Sequence, residues 1–441
     1  STLVKRLWPT AWLQPKHGFK HGDWSMPDTR NIAIGKPFAT DETSPNPDEE
    51  RYFAVLALDG DEIGKWVSGL HGQMPTLGDQ LSDYVDPADG KRKGARVYFE
   101  TNQMAHLLSR KRPLTPSFHL QLSEMLANFG NFCVRRIVES HDGRLIYSGG
   151  DDVLALLPAH RAIPCAVALR AAFRGNPDIL TQLEGAWRFE AGHWKKERLR
   201  LFNFDQPGFI RLDKDAPSAE GEPKRFFAIV PGPAADCSVG IAIAHFQHPL
   251  QEVVRAAHLA EKQAKSKLGR SAVALTLIKR SGETVHWGCK WDSGGLAAYE
   301  KMIQTITSDV LSNRFPHRLI ELVEQYQVED SGTLGGIEAE PEFKTVLLNV
   351  LKREIDVVTH RQQGKNYNPE NASKVTNAIL VYLQSLELKS PKDITTVVGD
   401  LIGLCKTVAF VCRSLPETHP EPGDEYSKSP TPPPATKELQ Q

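Results

Sequence analysis

The sequence predicts an α+β domain followed by an all-helical domain, and three patterns lead to this prediction. Continuous apolar runs at 53–58 and 238–245 indicate buried strands, because strands that are covered on both faces are apolar throughout. Apolar residues at helical spacing separate these runs, most clearly over 117–140. Residues 293–413 show four or five amphipathic helical segments and no strand pattern.

The order of the predicted elements defines the first domain more closely. Along the chain we expect a strand at 53–58, a helix starting within 62–70, a helix at 117–140, a hairpin at 145–157, a helix at 162–174, a strand at 238–245, a helix at 249–268 and a strand at 272–279. This order is typical of a split βαβ, or ferredoxin-like, arrangement. The Gly-rich and polar segments 71–98 and 175–236 are expected to be insertions, the first of them a loop.

The same patterns divide the chain into four parts. Residues 1–50 are rich in Trp, Pro and turn-forming residues, and we predict an N-terminal extension that ends in a polar linker. Residues 51–290 are predicted to form the α+β domain, and 291–414 the helical domain. Residues 415–441 include a Pro-rich run and are expected to be a disordered tail.

Composition narrows the classes of function. The net charge is −1, from 53 basic and 54 acidic residues, so any surface that attracts nucleic acid must be local. The 6 cysteines include no CxxC pair, which argues against a zinc site and against a secreted disulfide framework. Continuous apolar runs fall short of the roughly 18 residues that a membrane helix requires. We therefore expect a reduced cytoplasmic protein that contains no zinc and does not associate with a membrane.

Carboxylates stand at the ends of two predicted strands. The first strand runs into Asp59-Gly60-Asp61, and the hairpin contains Ser148-Gly149-Gly150-Asp151-Asp152. Carboxylates are costly to bury unless they are paired or coordinate a cation. We expect a divalent cation to be this partner, with Asp59 as a ligand, and the cation would also relieve the repulsion between Asp151 and Asp152. The hairpin sequence taken alone is also compatible with an ordinary turn.

Residues 60–64 are predicted to hold a triphosphate. They resemble a P-loop only superficially, because the segment is one residue short and Trp66 replaces the Ser or Thr that would bind magnesium. We expect instead that backbone amides at a helix N-terminus bind the phosphates, namely those of Gly60, Asp61, Glu62, Ile63 and Gly64. An alternative role for Asp61 is to cap that helix.

Basic residues at the end of the helix 249–268 are further candidates. Lys and Arg near a helix C-terminus usually lie in solvent and complement the helix dipole. Because this helix precedes a strand of the same domain, Lys265 and Arg270 could alternatively reach triphosphate oxygens. The basic clusters at 91–96, 110–112 and 193–200 are compatible with solvated surfaces or with contacts to RNA phosphates.

Four motifs occur together in a fixed order: DGD at 59–61, YSGGDD at 147–152, SVGIAIAHF at 238–246 and AEKQAKSKLGR at 260–270. In this combination the chain resembles the catalytic palm domain of the large polymerase/cyclase subunit of type III CRISPR effector complexes, in their Cmr branch. That palm is related to GGDEF diguanylate cyclases and class III nucleotidyl cyclases. The resemblance covers about residues 51–290, and the region up to 413 is similar to the family's C-terminal helical domain.

The resemblance implies an antiviral enzyme that converts ATP to cyclic oligoadenylates when its complex binds target RNA. It implies two Mg²⁺ or Mn²⁺ ions, with Asp59 and Asp151 as shared ligands, Asp152 as a further ligand or support, and Gly60 as a backbone ligand. Lys265 and Arg270 would contact the phosphates. The nucleotide would be lined by Ser148, Gly149 and Gly150.

The resemblance also implies partners. These are the backbone and small helical subunits of the complex, CRISPR RNA and target RNA. Family members usually carry a first palm domain, an HD nuclease and a zinc-binding region, none of which is visible in this sequence, so we expect a partner palm from another chain or a missing N-terminal half. Two alternatives stay open: a non-catalytic scaffold that contacts RNA, and a diguanylate cyclase. The second has less support, because such cyclases typically continue the hairpin with Glu-Phe where this chain has Asp152-Val153.

Overall fold

A computed structural model of the chain describes residues 29–34, 52–175, 186–190, 193–197, 208–213, 225–326, 343–387 and 393–414. Most of the predicted N-terminal extension and the whole predicted tail lie outside the described residues. The strands, numbered along the chain, are β1 (Tyr52–Gly60), β2 (Tyr84–Val85), β3 (Arg92–Lys93), β4 (Arg144–Ser148), β5 (Val153–Pro158), β6 (Ala186–Glu190), β7 (His193–Glu197), β8 (Phe209–Asp213), β9 (Arg225–Ile229), β10 (Cys237–His245), β11 (Ala272–Ile278) and β12 (Thr284–Lys290).

The α-helices are numbered in the same way. They are α1 (Thr29–Ala33), α2 (Ile63–Val67), α3 (Leu77–Gln80), α4 (Ala95–Thr101), α5 (Ala105–Leu108), α6 (Pro116–Asn128), α7 (Arg135–Ser140), α8 (Ala162–Phe173), α9 (Leu250–Ser266), α10 (Gly295–Thr307), α11 (Phe315–Val323), α12 (Phe343–Arg361), α13 (Pro369–Ser385) and α14 (Asp393–Ser414). A π-helical segment, Phe129–Val134, joins α6 to α7, so the predicted helix 117–140 is one continuous helical rod.

A six-stranded sheet with the order β12-β11-β10-β1-β5-β4 organises the first domain. Its four strands β10, β1, β5 and β4 pair antiparallel, with β1 between β10 and β5. Strand β11 continues the sheet parallel to β10, and α9 provides the connection between them. This is the ferredoxin-like arrangement that the sequence predicts, extended by two strands.

Strand β12 is missing from the sequence prediction, although its pattern is readable. Val285, Trp287 and Cys289 are buried, and the residues between them are more exposed. Such alternation is the signature of a strand with one buried face. The predicted boundary at 290 between the two domains stays a prediction, since the sheet ends at Lys290 and the next helix begins at Gly295.

The sheet is covered on both faces, as the apolar strands require. Alternate residues of β1 point to opposite faces because the side-chain period of a strand is 2. One face packs against the π-helical segment, α7 and α8, and its β1 residues are Ala54, Leu56 and Leu58. The other face packs against α9 and α1, and its β1 residues are Phe53, Val55 and Ala57. Helix α1 belongs to the predicted N-terminal extension, so this short stretch of that extension is packed on the sheet.

The segment 71–98 is not the simple loop that its composition predicts. It contains α3, the β2–β3 ribbon and the start of α4. Two of its basic residues pair with nearby carboxylates: Arg92 with Asp83 and Glu100, and Lys93 with Asp86. This pairing favours a solvated surface over an RNA contact for the cluster 91–96. The basic side chains at 193–200 lie outside the described residues.

The five helices α10 to α14 confirm the predicted helical region. Helix α14 crosses β12 closely: a Cβ atom added to Gly403 would lie 2.5 Å from the carbonyl oxygen of His286. Residues Ile394–Arg413 are long and apolar enough to cross a membrane, with a mean hydropathy of 1.7, which the sequence inspection missed. Because 67% of this window is buried inside the protein, α14 is a core helix of the helical region.

Asp400 gives this region a predicted pH dependence. It lies on α14 near Tyr382 and Cys289, and burial raises the pKa of Asp400 to about 6. The folded protein therefore loses stability relative to an uncharged variant as pH rises from about 4 to about 6. We expect Asp400→Asn to stabilise the protein by about 2–3 kcal/mol at pH 7.5 and to have little effect at pH 4.

Thermal unfolding at the two pH values measures this difference. The control is Asp356→Asn, which changes an exposed carboxylate on α12. An equal effect of Asp400→Asn at both pH values would show that the carboxylate of Asp400 is not destabilised by burial.

Candidate nucleotide and metal site

The pairing of β1 with β5 brings the two acidic motifs together. Leu58 pairs with Val153 at the end of the ladder, so the DGD segment continues alongside the hairpin turn. A Cβ atom added to Gly60 would lie 3.0 Å from the Cβ atom of Asp151. The missing side chain of Gly60 therefore provides the space in which Asp151 sits. This proximity is what the strand-end prediction requires.

The hairpin turn is held against the π-helical segment. The Gly149 amide donates a hydrogen bond to the carbonyl of Asp152 at 2.9 Å, and Gly150 has a φ of 96°, which glycine adopts readily. Ser148 Oγ donates to the carbonyl of Gly130 at 3.4 Å. A Cβ atom on Gly130 would lie 3.0 Å from that hydroxyl. Ser148 thus fixes the hairpin to the helix, and Gly130 is a site residue that the sequence analysis missed.

The two hairpin carboxylates differ in environment. Asp151 is partly buried and Asp152 is exposed. Burial raises the pKa of Asp151, and the charge of Asp152 raises it further. Repulsion between the two adjacent carboxylates, which the sequence indicates, is therefore the smaller cause, and desolvation is the larger one. A bound cation would offset both costs.

Lys265 contacts the carboxylate of the first strand directly. Its Nζ forms an ion pair with Oδ2 of Asp59 and lies 2.7 Å from Oε1 of Glu261, one helical turn earlier on α9. The exposed fractions of the three side chains are 25% for Lys265, 28% for Asp59 and 17% for Glu261. Lys265 is therefore a partly buried member of the acidic site and not a solvated residue at a helix end.

Glu261 is a second residue that the sequence analysis missed. Its spacing of four residues from Lys265 places both on one face of a helix, and this signal was available. Burial raises the pKa of Glu261, and the charges of Asp152 and Asp61 add to this effect. Burial and the nearby Arg270 lower the pKa of Lys265 to about 8, whereas its two carboxylate partners favour the ammonium form.

Asp61 has a structural role that differs from both predictions. Its carboxylate accepts hydrogen bonds from Ser238 Oγ at 2.8 Å and from the Ser271 amide at 2.8 Å. Its own amide donates a hydrogen bond to the carbonyl of Asp236 at 2.9 Å, so this amide is already paired within the protein. Glu62, not Asp61, occupies the N-cap position of α2, which corrects the capping alternative.

The predicted phosphate-binding amides lead into a short helix. Helix α2 has 5 residues, and Glu62 at its N-cap has a φ of 58° without a capping hydrogen bond from its side chain. Glu62 forms an ion pair with Lys65 at 2.5 Å, which lowers the pKa of Glu62. Ile63 contacts the position where a Cβ atom of Gly60 would lie, and Gly64 is exposed with open space around it.

Asp61 also restrains the turn that carries Arg270. Gly269, Arg270 and Ser271 have φ values of 75°, 66° and 47°, a conformation that only glycine adopts without strain. The hydrogen bond from the Ser271 amide to Asp61 helps to hold this turn. The exposed side chain of Arg270 is thereby kept near Asp61, Glu62 and Lys265.

An ion-pair network centred on Arg170 connects the ends of β1 and β12 to α8. Arg170 on α8 donates to both carboxylate oxygens of Asp236, at 2.8 and 2.7 Å, and contacts Asp292 at 3.2 Å. Its guanidinium lies 5.2 Å from the ring centre of Trp291. The carbonyl of Asp236 accepts a hydrogen bond from the Asp61 amide. The network therefore fixes the end of β1 to α8 and to the end of β12.

The donor chemistry of the site suits a divalent cation. Asp59, Asp151 and Asp152 supply the hard carboxylate oxygens that Mg²⁺ and Mn²⁺ prefer. The ammonium of Lys265 already places a positive charge at Asp59. Among the residues that the structure describes, no three His, Cys, Asp or Glu side chains are grouped closely enough to hold an ion. The residues therefore suit a divalent cation in ligand type, and cation binding would require Asp59 to leave Lys265 and the acidic side chains to move closer together.

Comparison with known proteins agrees with this geometry. Residues 52–182 match the family model described as Cas10/Cmr2, second palm domain. Over 235 residues the chain is 29% identical to the CRISPR system Cmr subunit Cmr2 of Pyrococcus furiosus, covering 53% of this chain and 19% of that protein. Over 62 residues it is 37% identical to the CRISPR system CMR subunit Cmr2 of Saccharolobus solfataricus, covering 14% of this chain and 6% of that protein.

Solved structures also give matches, at low sequence identity. A chain of type III-B Cmr-beta in the apo state has a TM-score of 0.39 at 14% identity, covering 76% of this chain and 39% of that one. A chain of the Csm1–Csm4 cassette in complex with cA4 has a TM-score of 0.30 at 12% identity, covering 76% of this chain and 37% of that one. The matched region is less than two-thirds of each relative. Residues 52–182 are thus similar to the second palm domain of Cas10/Cmr2, and both sequence relatives are Cmr2 subunits of CRISPR systems.

Proposed function

We propose that this chain is the cyclase subunit of a type III CRISPR effector complex and converts ATP to cyclic oligoadenylates when target RNA is bound. The observation that carries the proposal is the convergence of Asp59, Gly60 and Asp151 at one edge of a palm-domain sheet. Lys265 adds a positive charge at the same edge. A polyphosphate and divalent cations together match this combination of charges.

The reaction that fits the site is phosphoryl transfer. The 3′-oxygen of one ATP bonds to the α-phosphorus of another, the bond from that phosphorus to the bridging oxygen breaks, and pyrophosphate leaves while the hydroxyl proton passes to solvent or base. Bound Mg²⁺ or Mn²⁺ would supply activation of the hydroxyl and neutralisation of the developing negative charge. We assign the metals to Asp59 and Asp151, with Asp152 as a further ligand or support and Gly60 as a backbone ligand.

The remaining residues would position the nucleotide. Lys265 and Arg270 are proposed to contact phosphate oxygens, since both lie beside the acidic edge. Ser148 and the two hairpin glycines would line the nucleotide, and the Gly60–Gly64 segment would lie along its phosphates. Within that segment the Asp61 amide is already bonded, so we restrict its role to holding the turn that carries Arg270.

The partners are proposed from the relatives. The Pyrococcus furiosus relative is named as a subunit of a Cmr system, and the aligned region is 19% of that protein. We propose that a first palm domain, on another segment or another chain, completes the pocket for the second ATP. Backbone and small helical subunits, CRISPR RNA and target RNA would be the other partners.

Mass spectrometry of reaction products tests the proposal. The assembled complex is incubated with ATP, Mg²⁺ or Mn²⁺ and matched target RNA, with GTP in a parallel reaction. Cyclic adenylates that form only with target RNA support a gated cyclase, and their masses give the ring size. Cyclic diguanylate from GTP would favour a diguanylate cyclase. No product from an intact complex would favour a scaffold that contacts RNA.

A further inference from the structure

The backbone of Glu261 is held firmly against the sheet. Helix α9 crosses β10 at Gly240, where a Cβ atom would lie 2.1 Å from the Glu261 nitrogen and 2.2 Å from the Ala257 carbonyl oxygen. Only a glycine allows the helix to approach this closely. The carboxylate of Glu261 therefore projects from a fixed point, and its side chain is only 17% exposed.

Lys265 lies between two carboxylates that belong to different elements. Asp59 ends a strand, whereas Glu261 lies on the same helix as the lysine. A cation that binds Asp59 removes one of these partners and repels the ammonium. The long lysine side chain would then move freely in solvent unless a second group retained it. Glu261, at 2.7 Å, is such a group.

We propose that Glu261 is a positioning residue that retains the ammonium of Lys265 at the site after a divalent cation takes Asp59, so that Lys265 meets the nucleotide phosphates. This inference rests on the proposed function, because it assigns a phosphate partner to Lys265. Glu261 itself does not touch the nucleotide. Its own negative charge repels phosphates, so its direct electrostatic effect opposes its effect through Lys265.

The direct charge of Glu261 and its effect through Lys265 change nucleotide affinity in opposite directions, and this difference makes the inference testable. Equilibrium binding of α,β-methylene-ATP with Mg²⁺ is measured by calorimetry on the full 441-residue chain. We expect Glu261→Gln to weaken binding about tenfold, because Lys265 loses a charged hydrogen-bond partner. Glu261→Asp keeps the charge but withdraws the carboxylate, and should weaken binding by less. In a Lys265→Met background, Glu261→Gln should cause no further weakening.

A matched control lies on the same helix. Glu252 is 64% exposed and contacts His248 at 3.3 Å, more than two turns from Glu261. Glu252→Gln should leave nucleotide binding unchanged. Thermal unfolding of each variant separates loss of binding from loss of fold.

Several results would overturn the inference. Unchanged or tighter binding in Glu261→Gln would show that its direct charge effect dominates. Equal weakening by Glu261→Gln with and without Lys265 would show that Glu261 does not act through the lysine. Both results leave the nucleotide site intact. If the wild-type chain does not bind α,β-methylene-ATP, the proposed nucleotide site fails and the inference fails with it.

Discussion

Replacing Asp151 and Asp152 together by alanine is expected to abolish metal-dependent product formation, lowering the rate by about 1,000-fold or more. Cation binding at a phosphoryl-transfer site supplies several kcal/mol of stabilisation, and each 1.4 kcal/mol corresponds to about tenfold in rate. Asp151 sits against Gly60 where the end of β1 meets the hairpin turn, so its loss would remove a proposed cation ligand from the acidic edge. The measurement is product formation by mass spectrometry under saturating Mg²⁺ and target RNA.

The fold should survive this double substitution. The hairpin turn is held by the Gly149–Asp152 backbone bond and by Ser148, neither of which uses the two carboxylates. Assembly of the complex, followed by size-exclusion chromatography, should therefore be unchanged. Asp89→Asn is the matched control, because Asp89 is an exposed carboxylate paired with Lys93 in the 71–98 insertion. Product formed at the wild-type rate by the double variant would refute the assignment of the site.

Substitution of Gly240 by alanine is expected to have the largest effect on both stability and activity among the glycines of the sheet. The new methyl group would lie about 2 Å from backbone atoms of α9, and backbone cannot move aside as a side chain can. Relief requires α9 to shift away from β10. We expect a loss of about 1–3 kcal/mol of unfolding free energy. Because Lys265 and Glu261 lie on α9 and would shift with it, nucleotide binding should weaken as well.

Urea denaturation measures the stability change, and calorimetry measures nucleotide binding. Gly399→Ala in α14 is the control, since nothing beyond the adjoining turns of its own helix lies within 4 Å of a Cβ atom at that position. That change should stabilise the protein by up to about 1 kcal/mol, because alanine is the better helix former. A Gly240→Ala protein as stable as the wild type would mean that α9 is not seated on β10 as described.

The strands and the acidic motifs were predictable because they depend on local patterns. Apolar runs identify β1 and the strands that flank the hairpin whatever the surrounding structure, so Asp59 is placed at the end of β1 and Asp151 in the turn between β4 and β5. The proximity of the two acidic segments also follows from the fold, since β1 lies beside the hairpin in a ferredoxin-like sheet. Their roles in metal binding stay predictions.

What the sequence could not supply depends on contacts between distant segments. The local sequence around Asp61 is typical of a helix cap. In the structure its carboxylate accepts hydrogen bonds from Ser238 and Ser271, which lie 177 and 210 residues away along the chain. The Lys265–Asp59 ion pair similarly joins residues 206 positions apart. Glu261 and strand β12 do not depend on such distant contacts. The four-residue spacing from Lys265 and the alternation of buried residues are local signals that indicate them.

The π-helical segment between α6 and α7 restricts the chain in a further way. A π-turn takes more residues than an α-turn, so Phe129–Val134 hold more residues than an α-helix would place in the same length. Deleting one residue here would close the π-turn into an α-turn and leave α7 in phase with α6. Adding one residue to α6 would instead turn α7 by about 100° and carry Ile137 and Val138 away from the sheet that buries them. The helical rod between Thr115 and the hairpin is therefore expected to tolerate the loss of one residue better than the gain of one.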